Sequence, residues 1–129
     1  MVEQALSRKM TLPEYIEQNL NKPFIWGQHD CVLFAAGWVR IATGKDYLSD
    51  IEPWASKLEA YRVLKIVDGL NAIVDKKLQR IESNWAVDGD LALHQNALHL
   101  YSGRHICAPG KAGLVFFTRS LAMVSWRCA

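Results

Sequence analysis

A cysteine at the first turn of a helix is the layout of a thiol nucleophile, and this chain has one at Cys31. It follows Phe24-Ile25-Trp26-Gly27-Gln28-His29-Asp30 and opens the apolar run from Val32 to Ala42. A helix N-terminus carries partial positive charge, which favours a thiolate over a thiol. Asp30 reads as the N-cap, with a carboxylate suited to the first free backbone N–H groups. The chemistry in prospect is attack on a carbonyl carbon, which needs the thiol and a base to take its proton. His29, two residues before the thiol, is one candidate base. The same residues also fit a bland reading, in which Asp30 caps the helix, His29 packs in a structural turn and Cys31 is held by packing alone.

The elements that would position this thiol can be read from pattern and punctuation. Thr11 to Leu20 reads as a short helix whose capping box pairs Thr11 with Glu14, and Asn21-Lys22-Pro23 breaks it. A second helix from Asp30 to Thr43 stops at Gly44, a residue suited to the left-handed position after a helix. Cys31, Phe34, Ala35, Trp38, Val39 and Ala42 share one face of it, which makes it the central buried helix. Pro53 to Val67 reads as a third helix ended by Asp68-Gly69, and Leu70 to Lys76 adds a short helical turn. From Lys77 the pattern shifts towards period two. Strands are expected at Leu78–Ile81, Leu91–His94, Ala97–Tyr101, Arg104–Cys107 and Leu114–Thr118. Leu121 to Trp126 reads as a last strand or a helical turn. The turns Gln95-Asn96, Ser102-Gly103 and Pro109-Gly110-Lys111 are short enough to imply hairpins and an antiparallel meander. Helices first and sheet second give an α+β fold, with N-terminal helices packed on a C-terminal antiparallel sheet.

Bulk properties narrow the function classes. The 129 residues suit one domain, 1–129, and half are hydrophobic, with five Trp. A formal net charge of +2 and scattered basic residues give no case for nucleic acid. No apolar stretch approaches the roughly 20 residues of a membrane span. Met1 to Met10 lacks the apolar core of a signal peptide, so synthesis in the cytoplasm is expected. Three cysteines without CxxC spacing argue against a disulfide scaffold or a zinc site. His29, Cys31, His94, His99 and Cys107 show no recognised ligand spacing, so no metal or cofactor is expected. His94 and His105 are expected at the surface beside turns.

Four landmarks stand in order: Trp26 to Cys31, Gly44-Lys45-Asp46, Gly89-Asp90-Leu91-Ala92-Leu93, and the hairpin Ala97 to Cys107. The set resembles the NlpC-type, papain-like cell-wall peptidases. It is closer still to a small family of phage and prophage proteins that share Phe24 to Phe34, Gly89-Asp90, Gly113-Leu114 and Trp126-Arg127. The resemblance implies a papain-like fold across nearly the whole chain, with Cys31 at the nucleophile position. It also implies that the base position falls on Ala97 and the third polar position on Cys107. Neither residue can do that work. His99 shares the strand face of Ala97, displaced by roughly 6–7 Å along the strand. It is therefore the second candidate base beside His29, and equally a satisfied sheet histidine. Cys107 reads as a small core residue. Alternatively it faces Cys31 across the old active site, where oxidation outside the cell would join the two.

What the resemblance implies is a structural component of a phage or prophage tail tip or baseplate, a pseudoenzyme incorporated in the virion. Its partners would be tail hub and tip proteins. One alternative is a cysteine peptidase or amidase acting on peptidoglycan stem peptides, with Cys31 as nucleophile and His99 or His29 as base. Another is a tail assembly chaperone that stays in the bacterial cytoplasm.

Overall fold

The computed structural model describes residues 9–128. Among these residues four helices come first: α1 (Leu12–Asn19), α2 (Cys31–Thr43), α3 (Lys57–Ile66) and α4 (Leu70–Asp75). Six strands follow: β1 (Gln79–Ile81), β2 (Leu91–His94), β3 (Ala97–Ser102), β4 (His105–Gly110), β5 (Gly113–Thr118) and β6 (Val124–Arg127). Single 3-10 turns at Ser83–Trp85 and Arg119–Leu121 punctuate the sheet region. The fold is α+β, with every strand pair antiparallel and the order β1-β6-β2-β3-β4-β5. No helix among the described residues is long and apolar enough to cross a membrane.

Local chemistry sets the helix ends. Thr11 and Glu14 form the expected capping box on α1. Asp30 caps α2 through the Leu33 N–H, and Gly44 closes it in the left-handed conformation at φ 78°. The third helix starts at Lys57 rather than near Pro53. The Ser56 hydroxyl accepts from the Glu59 N–H and donates to the Glu59 carboxylate, an N-cap that fixes the start four residues later.

In the sheet, Gln95 and Asn96 both hold positive φ, the requirement of a tight two-residue hairpin turn. The Pro109-Gly110-Lys111 turn is shorter than its sequence suggests. Pro109 and Gly110 extend β4, opposite Leu114 and Gly113. Proline is tolerated there because the Pro109–Leu114 pair is one of the alternate pairs that exchange no backbone bonds. The segment 121–126 divides: Leu121 ends a 3-10 turn and Val124 starts β6, which inserts between β1 and β2.

The core lies between the helices and one face of the sheet. Helix α2 crosses β3 and β4. Its Phe34, Ala35, Trp38 and Val39 pack with Leu91, Leu98, Leu100, Cys107 and Trp126. Side chains alternate along strands, so the intervening residues form a second, smaller cluster on the far face. Ala92, Tyr101 and Ile106 meet Ala86 and Phe117 there.

Candidate functional site

Cys31 is the first residue of α2 and reaches a groove of about 580 Å³. Phe24, Trp26 and Tyr61 form an aromatic wall, with ring centroids 4.8 Å apart for Phe24–Trp26 and 6.2 Å for Trp26–Tyr61. Trp54 and Leu70 add apolar surface, and the hairpin turn Gln95-Asn96 supplies two exposed amides at the rim. Ala97, the first residue of β3, lines the same groove. The thiol and the Ala97 methyl group therefore border one cleft.

Burial opposes a thiolate at Cys31. Burial pushes Cys31 up to about 11, against the opposing pull of the Leu98, Val32 and Cys31 backbone groups. Part of the residue remains open to the groove, yet a shift in that direction leaves the sulfur protonated at pH 7. Desolvation outweighs the helix N-terminus that the sequence suggested would favour a thiolate.

Neither candidate histidine lines the groove. His29 closes a tight turn onto Ile25 and sets its ring edge-on to Phe34, with centroids 6.0 Å apart. Burial and the nearby Lys22 hold His29 below its ordinary value, with Asp30 opposing. Its Nε2 is enclosed without a hydrogen-bond partner, and the residue does not line the groove. His99 lies on the sheet's far face. Its Nδ1 is 2.9 Å from the Ala97 carbonyl oxygen, and its ring packs against His94 and Phe117. Burial, assisted by His94, holds it below its ordinary value. His94 is buried in this cluster rather than at the surface, while His105 is exposed.

Cys107 sits in the main core, fully buried, with its thiol pushed up to about 12 by burial. Cys31, Cys107 and Cys128 are all free thiols. Among the described residues, no group of three or more His, Cys, Asp or Glu side chains is placed to hold a metal ion. A smaller cavity of about 260 Å³ lies between α2 and residues 46–54, bounded by Leu33, Arg40 and Trp54. Its lining carries neither a thiol nor an imidazole.

The sequence motifs around this groove are structural fastenings. Asp30 is fully buried. One carboxylate oxygen accepts from the Leu33 N–H at 2.9 Å. The other accepts from the Gly27 N–H at 3.0 Å and the Trp54 indole N–H at 2.8 Å. Gly27 holds φ 77°, and a Cβ there would collide with the Trp54 carbonyl oxygen. The Trp-Gly-x-x-Asp run thus ties the turn, the start of α2 and the segment before α3 into one joint. Gly89-Asp90 is a second joint. Asp90 accepts from the Val87 and Cys128 backbone N–H groups at 2.9 Å each, and Arg127 approaches it at 3.4 Å. Arg127 also donates to the Trp85 carbonyl and so belongs to the same joint, while the neighbouring Trp126 indole donates to Asp75 at 2.8 Å. Trp54, Gln95 and Asn96 were not foreseen as site residues. A buried aspartate at a helix start, with two carboxylate oxygens to satisfy, is a signal that donors beyond the helix N–H must arrive, but which residue brings them is a tertiary matter.

Residues 6–128 match a family described as a domain of unknown function (DUF6950). No curated protein and no solved structure matches the chain.

Proposed function

We propose that this chain, which belongs to the DUF6950 family, is a non-catalytic domain of papain-like, NlpC-type architecture that serves as a structural component of a phage or prophage tail tip or baseplate. The observation that carries the loss of chemistry is the groove itself. Cys31 opens it from the start of α2, Ala97 occupies the start of β3, and no imidazole lines it. A protonated thiol without a base lacks both its own activation and the proton for a leaving amine. The ordered motifs that suggest the architecture are spent on joints: Gly27 with Asp30, and Gly89 with Asp90 and Arg127. A fold that keeps its joints and loses its base keeps shape and surface, which is what an assembly module needs. Tail hub and tip proteins are the partners this reading implies.

The test is made in the producing phage. Mass spectrometry of purified tails should find the chain, and Cys31→Ala should alter neither particle assembly nor infectivity. Normal tails with lost infectivity would overturn the non-catalytic reading in favour of a peptidoglycan-directed peptidase or amidase. Absence of the chain from assembled tails would favour the assembly chaperone. In the purified protein, iodoacetamide near pH 6 should label Cys31 slowly; rapid selective labelling would show a thiolate that the groove does not account for.

A further inference from the structure

The two edges of the sheet are built differently. Edge β1 is three residues long and carries Gln79 and Arg80. Arg80 is held by Asp75 through two hydrogen bonds of 2.9 Å. Short length and a charge are the usual means of blunting an edge. Edge β5 is six residues, Gly113-Leu114-Val115-Phe116-Phe117-Thr118, with no charge and no proline. Val115 and Phe116 are 42% and 43% exposed.

The register shows which backbone groups of β5 point outward. Pro109 faces Leu114 and has no N–H, so that pair exchanges no bonds, and by alternation neither do Cys107–Phe116 and His105–Thr118. Leu114, Phe116 and Thr118 therefore turn their N–H and C=O groups away from β4. The Leu114 N–H already meets the Leu20 carbonyl at 2.9 Å. Among the described residues, no backbone bond from outside the sheet reaches Phe116 or Thr118.

Charge limits what can fit there. All 13 Asp and Glu residues lie at or before Asp90, while residues 91–129 carry Arg104, Lys111, Arg119 and Arg127. A second copy laid antiparallel on β5 would bring Lys111 and Arg104 of the two chains together, with no carboxylate in β5 or in the turns that flank it. We propose that the outer edge of β5 receives an extended acidic segment of a partner protein as a seventh strand. Its centre would exchange N–H···O=C bonds with Phe116, its apolar side chains would cover Val115 and Phe116, and its flanking carboxylates would meet Lys111 and Arg104. This is strand addition, in which backbone bonds give affinity and alternate side chains give selectivity.

The probe is a fluorescein-labelled peptide, Asp-Glu-Val-Thr-Phe-Thr-Val-Glu, titrated with the full chain and read by anisotropy. Thr118 already holds φ −62°, the value proline requires, and its N–H bonds nothing in the sheet. Thr118→Pro therefore removes one outward donor without disturbing β4. Saturable binding that weakens about tenfold in Thr118→Pro and in Phe116→Lys supports the proposal. Equal binding to Thr118→Pro overturns it, as does no saturable binding by wild type. Wild-type protein also serves with two control peptides, one with proline at both Thr positions and one with Lys for each acid. Loss of binding by both is expected; retention by either overturns the proposal, whether or not the protein variants fold. Concentration-dependent dimerisation of wild type that Thr118→Pro abolishes would name a second copy as the occupant and overturn the acidic partner.

Discussion

Asp30 and Asp90 fasten opposite parts of the same core with different partners. Asp30 is held by three neutral donors, two backbone N–H groups and an indole. Asp90 takes two backbone N–H groups and a guanidinium about one-third exposed. Both follow a glycine whose backbone is closely approached, Gly27 by the Trp54 carbonyl and Gly89 by the Trp38 indole. The difference lies in how the buried charge is compensated. Asp30 depends wholly on oriented dipoles, which cannot rearrange once the joint is formed. Asp90 shares its load with a partly exposed cation that also donates to the Trp85 carbonyl. A carboxylate beside a cysteine in a helix-start motif invites a catalytic reading, yet Asp90 holds the same kind of fastening role outside any such motif.

The comparison can be broken most directly at Asp30. Asp30→Ala strands three donors and should cost about 3–5 kcal/mol in urea unfolding, with Asp30→Asn costing less. A loss no greater than the ~1 kcal/mol of an ordinary helix cap would refute the three-way joint. Next comes the glycine pair. Gly27→Ala meets rigid backbone at positive φ and should cost about 2–4 kcal/mol. Gly89→Ala meets a Trp38 side chain at 2.9 Å and also has positive φ, but that side chain can yield, so the loss should be smaller. Equal losses would mean that the φ requirement alone governs both. Arg127→Met separates the joints further. It should cost about 1–2 kcal/mol, less in high salt, while Asp30 variants keep their full cost at about 1 M salt. A double-mutant cycle of Asp90→Asn with Arg127→Met reads the coupling.

The sheet's far face supplies a smaller effect. The folded protein holds His99 below its ordinary value, chiefly by burial, so the unfolded chain binds the proton first as pH falls. Stability should decline from about pH 7 through the ordinary histidine value and level off below the folded one. His99→Gln should flatten that slope, as followed by urea midpoints across pH. A slope of the opposite sign would mean that the folded state favours the imidazolium. Smallest of all, Cys31→Ala should shift stability by about 1 kcal/mol or less, because only one sulfur atom is removed from a partly buried residue at the edge of the core.

Much of the fold was legible because its signals are local. Thr11 with Glu14, Asp30 and Gly44 each announce a helix end within a few residues. Gln95-Asn96 announces a hairpin in the same way. Ser56 with Glu59 is the same kind of signal, and it sets the start of α3 at Lys57 rather than near Pro53. The face of Ala97 and His99 followed from period two, but the direction of the chemistry did not. The groove meets only the end of β3, so Ala97 reaches it while His99, two residues on, lies among His94 and Phe117. The link from Asp30 to Trp54 spans 24 residues, and no local pattern specifies such a bond. The insertion of β6 was equally hidden, because β-pairing at long range leaves no periodic trace.

That insertion also orders events in time. Hairpins β2–β3, β3–β4 and β4–β5 close between neighbours in sequence, a quick route because little chain entropy is lost. β1 has no partner until β6 arrives, since Gln79 pairs with Arg127 and β2 meets β1 only through β6. On the ribosome, the meander can zip while β1 waits unpaired, and the sheet completes only after residues 124–127 have been made. The rate of the final folding step should therefore track the closure of this long loop rather than hairpin formation.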